Sequence, residues 1–467
     1  MEQALGRAAS GRGATGARPE FPIREFFVLP AAVVVFALLL HWVYADLISP
    51  TFDYLGYRYR EPTAAAFIIA VVIAIAAALA LPRRLERASS VVLWLLFVVT
   101  VAPTILIAPY TPYRTDDQAL ILGGAVALIF MAVAWGVRGD IKPRSWGVSP
   151  TSIWFILIVI SLLTYGLLAF TQGISLRLLS FVDVYDVREE YAGNLEGIGI
   201  LSYLVFIQAN VVNPLMVARG LFNRAPVWTI AGLLGQLILY STTGFKGMLF
   251  AVPAWFIVAF VLRRKRRTTD GLVLVWGAGG LILISAVIDQ LLNSILLTSL
   301  LSRRFLITPG VFTSVYAEFF SANPQVHLGH SILRPFVDYP YELTPPYVIG
   351  EWMAGLPTMA ANANMFADGF ANFGWIGMIG AGAVLLVYLR ILDQVSVGLP
   401  LGVVGVVMTM PTVALSNTSI LTAMLSHGLV AAILLLAVMP RDYDESSRRQ
   451  TRVQERVNAA GHPRGRA

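Results

Sequence analysis

Long apolar runs separated by short polar ones set the rhythm of this chain. Runs of about 20 apolar residues recur, each long enough to cross ~30 Å of hydrocarbon as a helix. They predict about twelve membrane spans. The first six lie near 26–47, 64–81, 91–108, 119–137, 153–172 and 198–218. A close pair, 227–243 and 248–262, is joined by the turn STTGFKG, and the last four lie near 271–289, 375–392, 397–415 and 420–439. The expected fold is an all-α polytopic integral membrane protein.

One stretch, 290–373, breaks the rhythm. It holds Arg303 and Arg304, His327 and His330, a Pro/Tyr/Asp/Glu cluster and an Asn-rich segment between two spans. A connection this long is a lid, a binding loop or a separate domain. Its opening run, LLNSILLTSLL, is too short to cross a bilayer and reads as interfacial or re-entrant. Pro309 and Gly310 then mark a break before the helical VFTSVYAEFF. The expected organisation is a basic tail over 1–24, nine spans over 25–289 with an outer loop at 173–197, the large loop with interfacial helices over 290–373, three spans over 374–439, and a second basic tail over 440–467.

Composition agrees. The chain is 57% hydrophobic and 13% charged, with a mean hydropathy of +0.72, far from a soluble domain. Cysteine is absent, which excludes disulfides, thiolate metal sites and a cysteine nucleophile. The net charge of +7 comes mainly from arginines in alternate loops, so it speaks of membrane orientation and not of nucleic acid. Those loops are PRRLER, RGDIKPR, RGLFNR, RRKRR and the C-terminal tail. The excess of positive charge places them, and both termini, in the cytoplasm. The 173–197 and 290–373 segments then face outward. The outer face of a bacterial cytoplasmic membrane offers no nucleotide donor, so chemistry there uses a donor already activated on a lipid.

Several residues could carry such chemistry. Arg188, in VYDVREEYAG, is an anion-binding candidate beside Asp186, Glu189 and Glu190, although a solvated charged cap explains the cluster equally well. Lys246, between Gly244 and Gly247 and after Thr242 and Thr243, is either a lysine snorkelling to headgroups or a phosphate ligand. Arg303 and Arg304 meet lipid phosphates or grip a pyrophosphate at the same depth. His327 and His330 have a metal-like spacing without a third ligand, so no metal is expected. His427, inside the last span, is a packed histidine or a pathway residue. In NANMFADGFANFGWIGM, Asn364, Asp368 and Asn372 share one helical face, with Asn362 before them and Trp375 among the following rings. Amides, a carboxylate and rings are what sugars bind.

In order and character, the VYDVREEY loop, TGFKG, RRFLITPG with its Tyr-bearing helix, and NANMFADGFANFGWIG resemble the bacterial oligosaccharide repeat-unit polymerases. These are the Wzy-type O-antigen and capsule polymerases, and the resemblance runs from about Gly173 to Gly377. It implies a lipid-donor glycosyltransferase-like architecture. It also implies transfer of a glycan from undecaprenyl pyrophosphate to a second lipid-linked repeat unit, building surface polysaccharide without a cofactor. Arg188, Lys246, Arg303 and Arg304 would bind pyrophosphate, and Asp368 or His427 would act on protons. Asn362, Asn364, Asn372, Tyr316 and Trp375 would bind glycan. Partners would be the lipid-linked donor and acceptor, the bilayer, a chain-length regulator and a flippase. Two other readings stay open: another lipid-donor transferase or O-antigen ligase, and a flippase for a lipid-linked glycan. Midplane polar residues and internal repeats would favour the flippase.

Overall fold

A computed structural model describes residues 23–441 apart from 147, 175, 177–186, 188–190, 192–198, 264–269 and 332. Arg188, with Asp186, Glu189 and Glu190, lies outside the described residues, as do residues 1–22 and 442–467 of the two basic tails. All regular structure among the described residues is helical.

The helices, in chain order, are α1 (Phe27–Leu55), α2 (Ala64–Ala80), α3 (Ala88–Tyr110), α4 (Asp116–Gly136), α5 (Pro150–Gln172) and α6 (Gly199–Phe222). Then come α7 (Pro226–Thr243), α8 (Lys246–Arg263), α9 (Asp270–Leu291), α10 (Thr298–Ala322) and α11 (Pro345–Ala354). The chain closes with α12 (Met365–Ser396), α13 (Leu401–Ala414), α14 (Ile420–Ser426) and α15 (Leu429–Val438). A helix lies under each expected span. By length and composition, nine helices among the described residues can cross a membrane, or ten if the α14–α15 pair, bent by 53°, is one span. The protein is therefore a multi-pass membrane protein.

Helix α3 is the centre of the bundle: 94% of its most apolar window is buried, with α2, α4, α9, α10, α12 and α13 packed around it. The loops that share positive charge converge at one end. Arg87 donates to the carbonyls of Val137 (3.0 Å) and Gly139 (2.9 Å), and Arg390 to that of Gly136 (2.9 Å). Arg441 reaches the carbonyl of Arg144 at 3.0 Å, and Arg263 that of Leu221. This basic end is opposite a loop end, where Arg60 meets Asp116 at 2.5 Å and Arg114 faces Glu318 at 3.7 Å.

The 290–373 stretch is not a projecting loop. Its first half is α10, a continuous helix of 25 residues, 78% buried in its apolar window. The expected break at Pro309 does not occur. Residues Thr298–Ile307 form a π-helix, and the α-helix resumes at Thr308. Both the amide N–H and the hydroxyl of Thr308 donate to the carbonyl of Arg303, the hydroxyl at 2.7 Å. Widening the turn in this way makes room for a proline ring that would clash with an ordinary helical carbonyl. The same pairing recurs three times: π-helices at Val43–Ile48, Phe97–Val101 and Gln208–Val212 each end just before an α-helix with Pro50, Pro103 or Pro214 at its second position.

Although long enough to span, α10 starts and finishes at the loop end. The buried Asp289 carboxylate at the close of α9 accepts the amide N–H groups of Leu297 (3.2 Å) and Thr298 (2.6 Å). An anion placed there caps the helix and complements its dipole. Farther along, Gly310 lies against the Pro103 carbonyl, where a Cβ would clash, and Glu318 ends beside Arg114. The helix is an inserted element crossing the loop end of the bundle.

Candidate functional site

The Asn-rich segment turns out to be structural. Asn364 is the N-cap of α12: its Oδ1 accepts from Phe366 N (2.9 Å) and Ala367 N (3.1 Å). Its Nδ2 donates to the Pro309 carbonyl (3.0 Å) and to Thr313 Oγ1 (2.6 Å), and the residue is fully buried. Asn372 is buried too, with Oδ1 accepting from Leu328 N at 2.7 Å and Nδ2 donating to the Asp368 carbonyl at 2.9 Å. Tyr316 is buried and donates to the Ala361 carbonyl at 2.8 Å. These three replace the expected glycan contacts with contacts to the protein itself. They dock α12 on α10 and fasten the 323–328 turn. Asn362 and Trp375 are exposed, the latter edge-on to Phe370. Asp368 is half-buried. Just beyond it, α12 kinks at Phe373 and Gly374, whose φ of 58° suits glycine.

Arg303 lays its guanidinium over Phe52 (4.2 Å) and Tyr57 (5.3 Å) and donates from Nε and Nη2 to Ser299 Oγ at 3.1 and 2.9 Å. That is a packed cation on an aromatic slot, so the expected pyrophosphate role does not fit Arg303. Two residues on, Phe305 packs edge-on against Phe250 of α8 at 5.8 Å.

Phe250 stands one turn beyond Lys246, on the same face of α8. Lys246 follows a tight turn made by Gly244, which closes α7 in the left-handed conformation (φ 67°). Thr243 serves that turn, donating to the Leu239 carbonyl at 2.7 Å and accepting from Phe245 N at 3.4 Å, and so is not a free donor for a ligand. Phe245 in turn meets Tyr191 (5.7 Å) and Phe206 (5.3 Å), and Phe206 meets His427 (5.2 Å). His427 sits at the break between α14 and α15, followed by Gly428 at φ 93°, with Nδ1 2.9 Å from Ser426 Oγ. A chain of rings thus runs from Tyr191 of the 173–197 segment through Phe245, the residue before Lys246, and Phe206 to His427.

His327 packs on Phe373 at 5.3 Å, and His330 is half-buried near Tyr339. Burial pushes the His330 imidazole below its ordinary value. Among the described residues, no group of three His, Asp or Glu side chains is placed to hold a metal ion.

Two features escaped the sequence. Arg114 is buried at the loop end, with Nε and Nη1 making no hydrogen bond and burial lowering its pKa despite Glu318. The other is a line of buried amides inside the bundle, Gln208, Asn213 and Gln236. Isolated polar residues within apolar runs were the signal for it. Comparison with family models, with curated proteins and with solved structures finds no match.

Proposed function

We propose that the protein is a glycosyltransferase of the bacterial cytoplasmic membrane that lengthens undecaprenyl-pyrophosphate-linked oligosaccharides, with both termini cytoplasmic and the loop end outward. The observation that carries this reading is the packing around Lys246. Lys246 follows Phe245, whose ring meets Phe206 and through it the imidazole of His427, and Arg304 precedes Phe305, which packs on Phe250 one turn past Lys246. Cations held at a fixed place are what a departing pyrophosphate needs, and such preorganised charge is worth several kcal/mol to a transition state.

In the reaction, the acceptor hydroxyl attacks the anomeric carbon of the donor sugar. The bond from that carbon to the pyrophosphate oxygen breaks, and the oxygen carries the electron pair away. Lys246 and Arg304 offset that charge, and His427 takes the hydroxyl proton. Arg188 is the further candidate from the adjoining segment. Asp368, close enough to Tyr316 to act on it electrostatically, is assigned a place beside the α10–α12 contact rather than the proton-transfer role.

The test is a reconstituted assay with a lipid-linked repeat unit, using Lys246→Ala, Arg304→Ala and His427→Ala. All three variants are expected to stay folded in the membrane and to lose elongation. Wild-type elongation in all three would refute the site.

A further inference from the structure

Two of the ion pairs at the loop end are built differently. Arg60 and Asp116 are closed: Arg60 Nη2 donates to Asp116 Oδ1 at 2.5 Å, and Thr63 donates to Asp116 Oδ2 from its amide N–H (3.0 Å) and its hydroxyl (2.7 Å). Arg114 and Glu318 are open. Their nearest atoms, Nη1 and Oε2, are 3.7 Å apart, too far for a hydrogen bond. Nε and Nη1 of Arg114 have no hydrogen-bond partner among the described residues, although only 6% of that side chain is exposed. A guanidinium taken out of water without hydrogen bonds carries a large desolvation penalty. A buried polar group left in this state marks a place where something else completes it.

The pair is held from both sides. Arg114 immediately precedes Thr115, whose Oγ1 accepts from Gln118 N at 3.4 Å and caps α4, and Glu318 is carried by α10. Tyr113 OH donates to the Gly56 carbonyl at 2.6 Å, which fixes its ring. The rings next in the chain to the two charges, Tyr113 and Phe319, meet the same indole. Trp352 of α11 is 5.9 Å from Tyr113 and 5.7 Å from Phe319. The 113–114 turn, α10 and α11 therefore meet here. Trp352 is 45% exposed and the Glu318 side chain 35%, so an indole and a carboxylate are open to solvent while the guanidinium is buried.

The charges decide the class of ligand. Glu318 cancels Arg114, and Glu351, exposed and next to Trp352 in the chain, adds a further negative charge. Arg58 and Asp53, both close enough to act on Tyr113, cancel in the same way. An anion gains nothing here. What the open pair offers is a donor and an acceptor side by side. A hydroxyl is both: lodged between them as Glu318 rotates to admit it, it accepts from Arg114 Nη1 and donates to the Glu318 carboxylate. A neutral sugar carries such hydroxyls on its edge and C–H groups on its face, and that face suits the negative π surface of an indole. We propose that Arg114, Glu318 and Trp352 form a binding site for a neutral glycan, with a sugar hydroxyl bridging the ion pair and Trp352 stacked on a sugar ring. Assigning that glycan to the acceptor repeat unit rests on the transferase reading. The site supplies the sugar contacts that Asn364, Asn372 and Tyr316, turned to the protein itself, do not.

The full-length protein in nanodiscs is passed over an array of neutral and acidic oligosaccharides, as wild type and as Trp352→Ala, Glu318→Ala, Glu318→Gln and Phe336→Ala. Phe336, 83% exposed in the 323–344 connection, is the control ring. The wild type is expected to retain neutral glycans. Trp352→Ala and Glu318→Ala should weaken that retention about tenfold or more, with Phe336→Ala unchanged. Glu318→Gln keeps an acceptor oxygen and should bind better than Glu318→Ala; equal loss in both overturns the hydroxyl bridge, because a carboxylate that only balances Arg114 predicts it. Trp352 is exposed, so its variant reads the site even if the Glu318 variants unfold. Retention of acidic glycans alone, no retention, or equal retention in Trp352→Ala overturns the proposal. Retention lost in Trp352→Ala and Glu318→Ala, with no lipid-linked glycan lengthened by the wild type, supports the site and removes the transferase. Lengthening by the wild type alongside equal retention in both variants does the reverse.

Discussion

Asn364→Ala separates a cap from a sugar ligand. The asparagine accepts two amide N–H groups at the start of α12 and donates to the Pro309 carbonyl and to Thr313 Oγ1. Losing the cap costs about 1 kcal/mol. The two donated bonds are each worth about 0.5–1.5 kcal/mol net. Thr313 Oγ1 continues to satisfy the Pro309 carbonyl at 2.6 Å, which keeps the cost from rising further. The sum is about 2–4 kcal/mol. Asn364→Ser keeps a capping oxygen and should recover about 1 kcal/mol of it. Coupling through Thr313 means that the double variant with Thr313→Val loses less than the two single losses added. Reversible unfolding in mixed micelles compares the wild type with the three single variants and the double variant. Wild-type stability in Asn364→Ala together with lost glycan binding would refute the capping role and restore the ligand.

Three further outcomes follow from the geometry. Arg303→Leu should destabilise the protein by about 1–2 kcal/mol by emptying the slot on Phe52 and Tyr57, a loss seen in unfolding; Lys246→Ala should cut elongation without that loss. Gln236→Leu leaves Asn213 Nδ2 without its partner in the bundle, at a cost of about 1–3 kcal/mol, measured by the same unfolding. His330 is held below its ordinary pKa by burial, so the folded state binds its proton less readily than the unfolded state. The stability this group contributes is complete above pH ~6.5 and is lost as pH falls below it. His330→Gln should flatten that part of the stability profile between pH 8 and pH 5.

The apolar rhythm placed the apolar helices well because hydropathy is a property of the run itself, although nine or ten of them among the described residues, against the expected twelve, are long and apolar enough to cross a membrane. Expected bounds of 64–81 and 153–172 compare with Ala64–Ala80 and Pro150–Gln172. It missed α10, because Arg303, Arg304 and several hydroxyl residues dilute its hydropathy to 1.2, and because Pro309 reads as a break unless a π turn precedes it. Pairing between side chains was less legible. Asn364 and Asn372 look alike in sequence whether they face a ligand or a helix end, and only the positions of Pro309, Thr313 and Leu328 decide. Lys246 and Arg304 were visible singly, but the packing of their two helices through Phe250 and Phe305 is a contact with no local signature.

The most direct measurement uses proteoliposomes holding the purified protein and a single synthetic undecaprenyl-pyrophosphate repeat unit, with products separated by size. A ladder of lengthened lipid-linked glycans, lost in Lys246→Ala and Arg304→Ala, is the expected result. A repeat unit that crosses the bilayer or stays where it is, never lengthened, would contradict the transferase account.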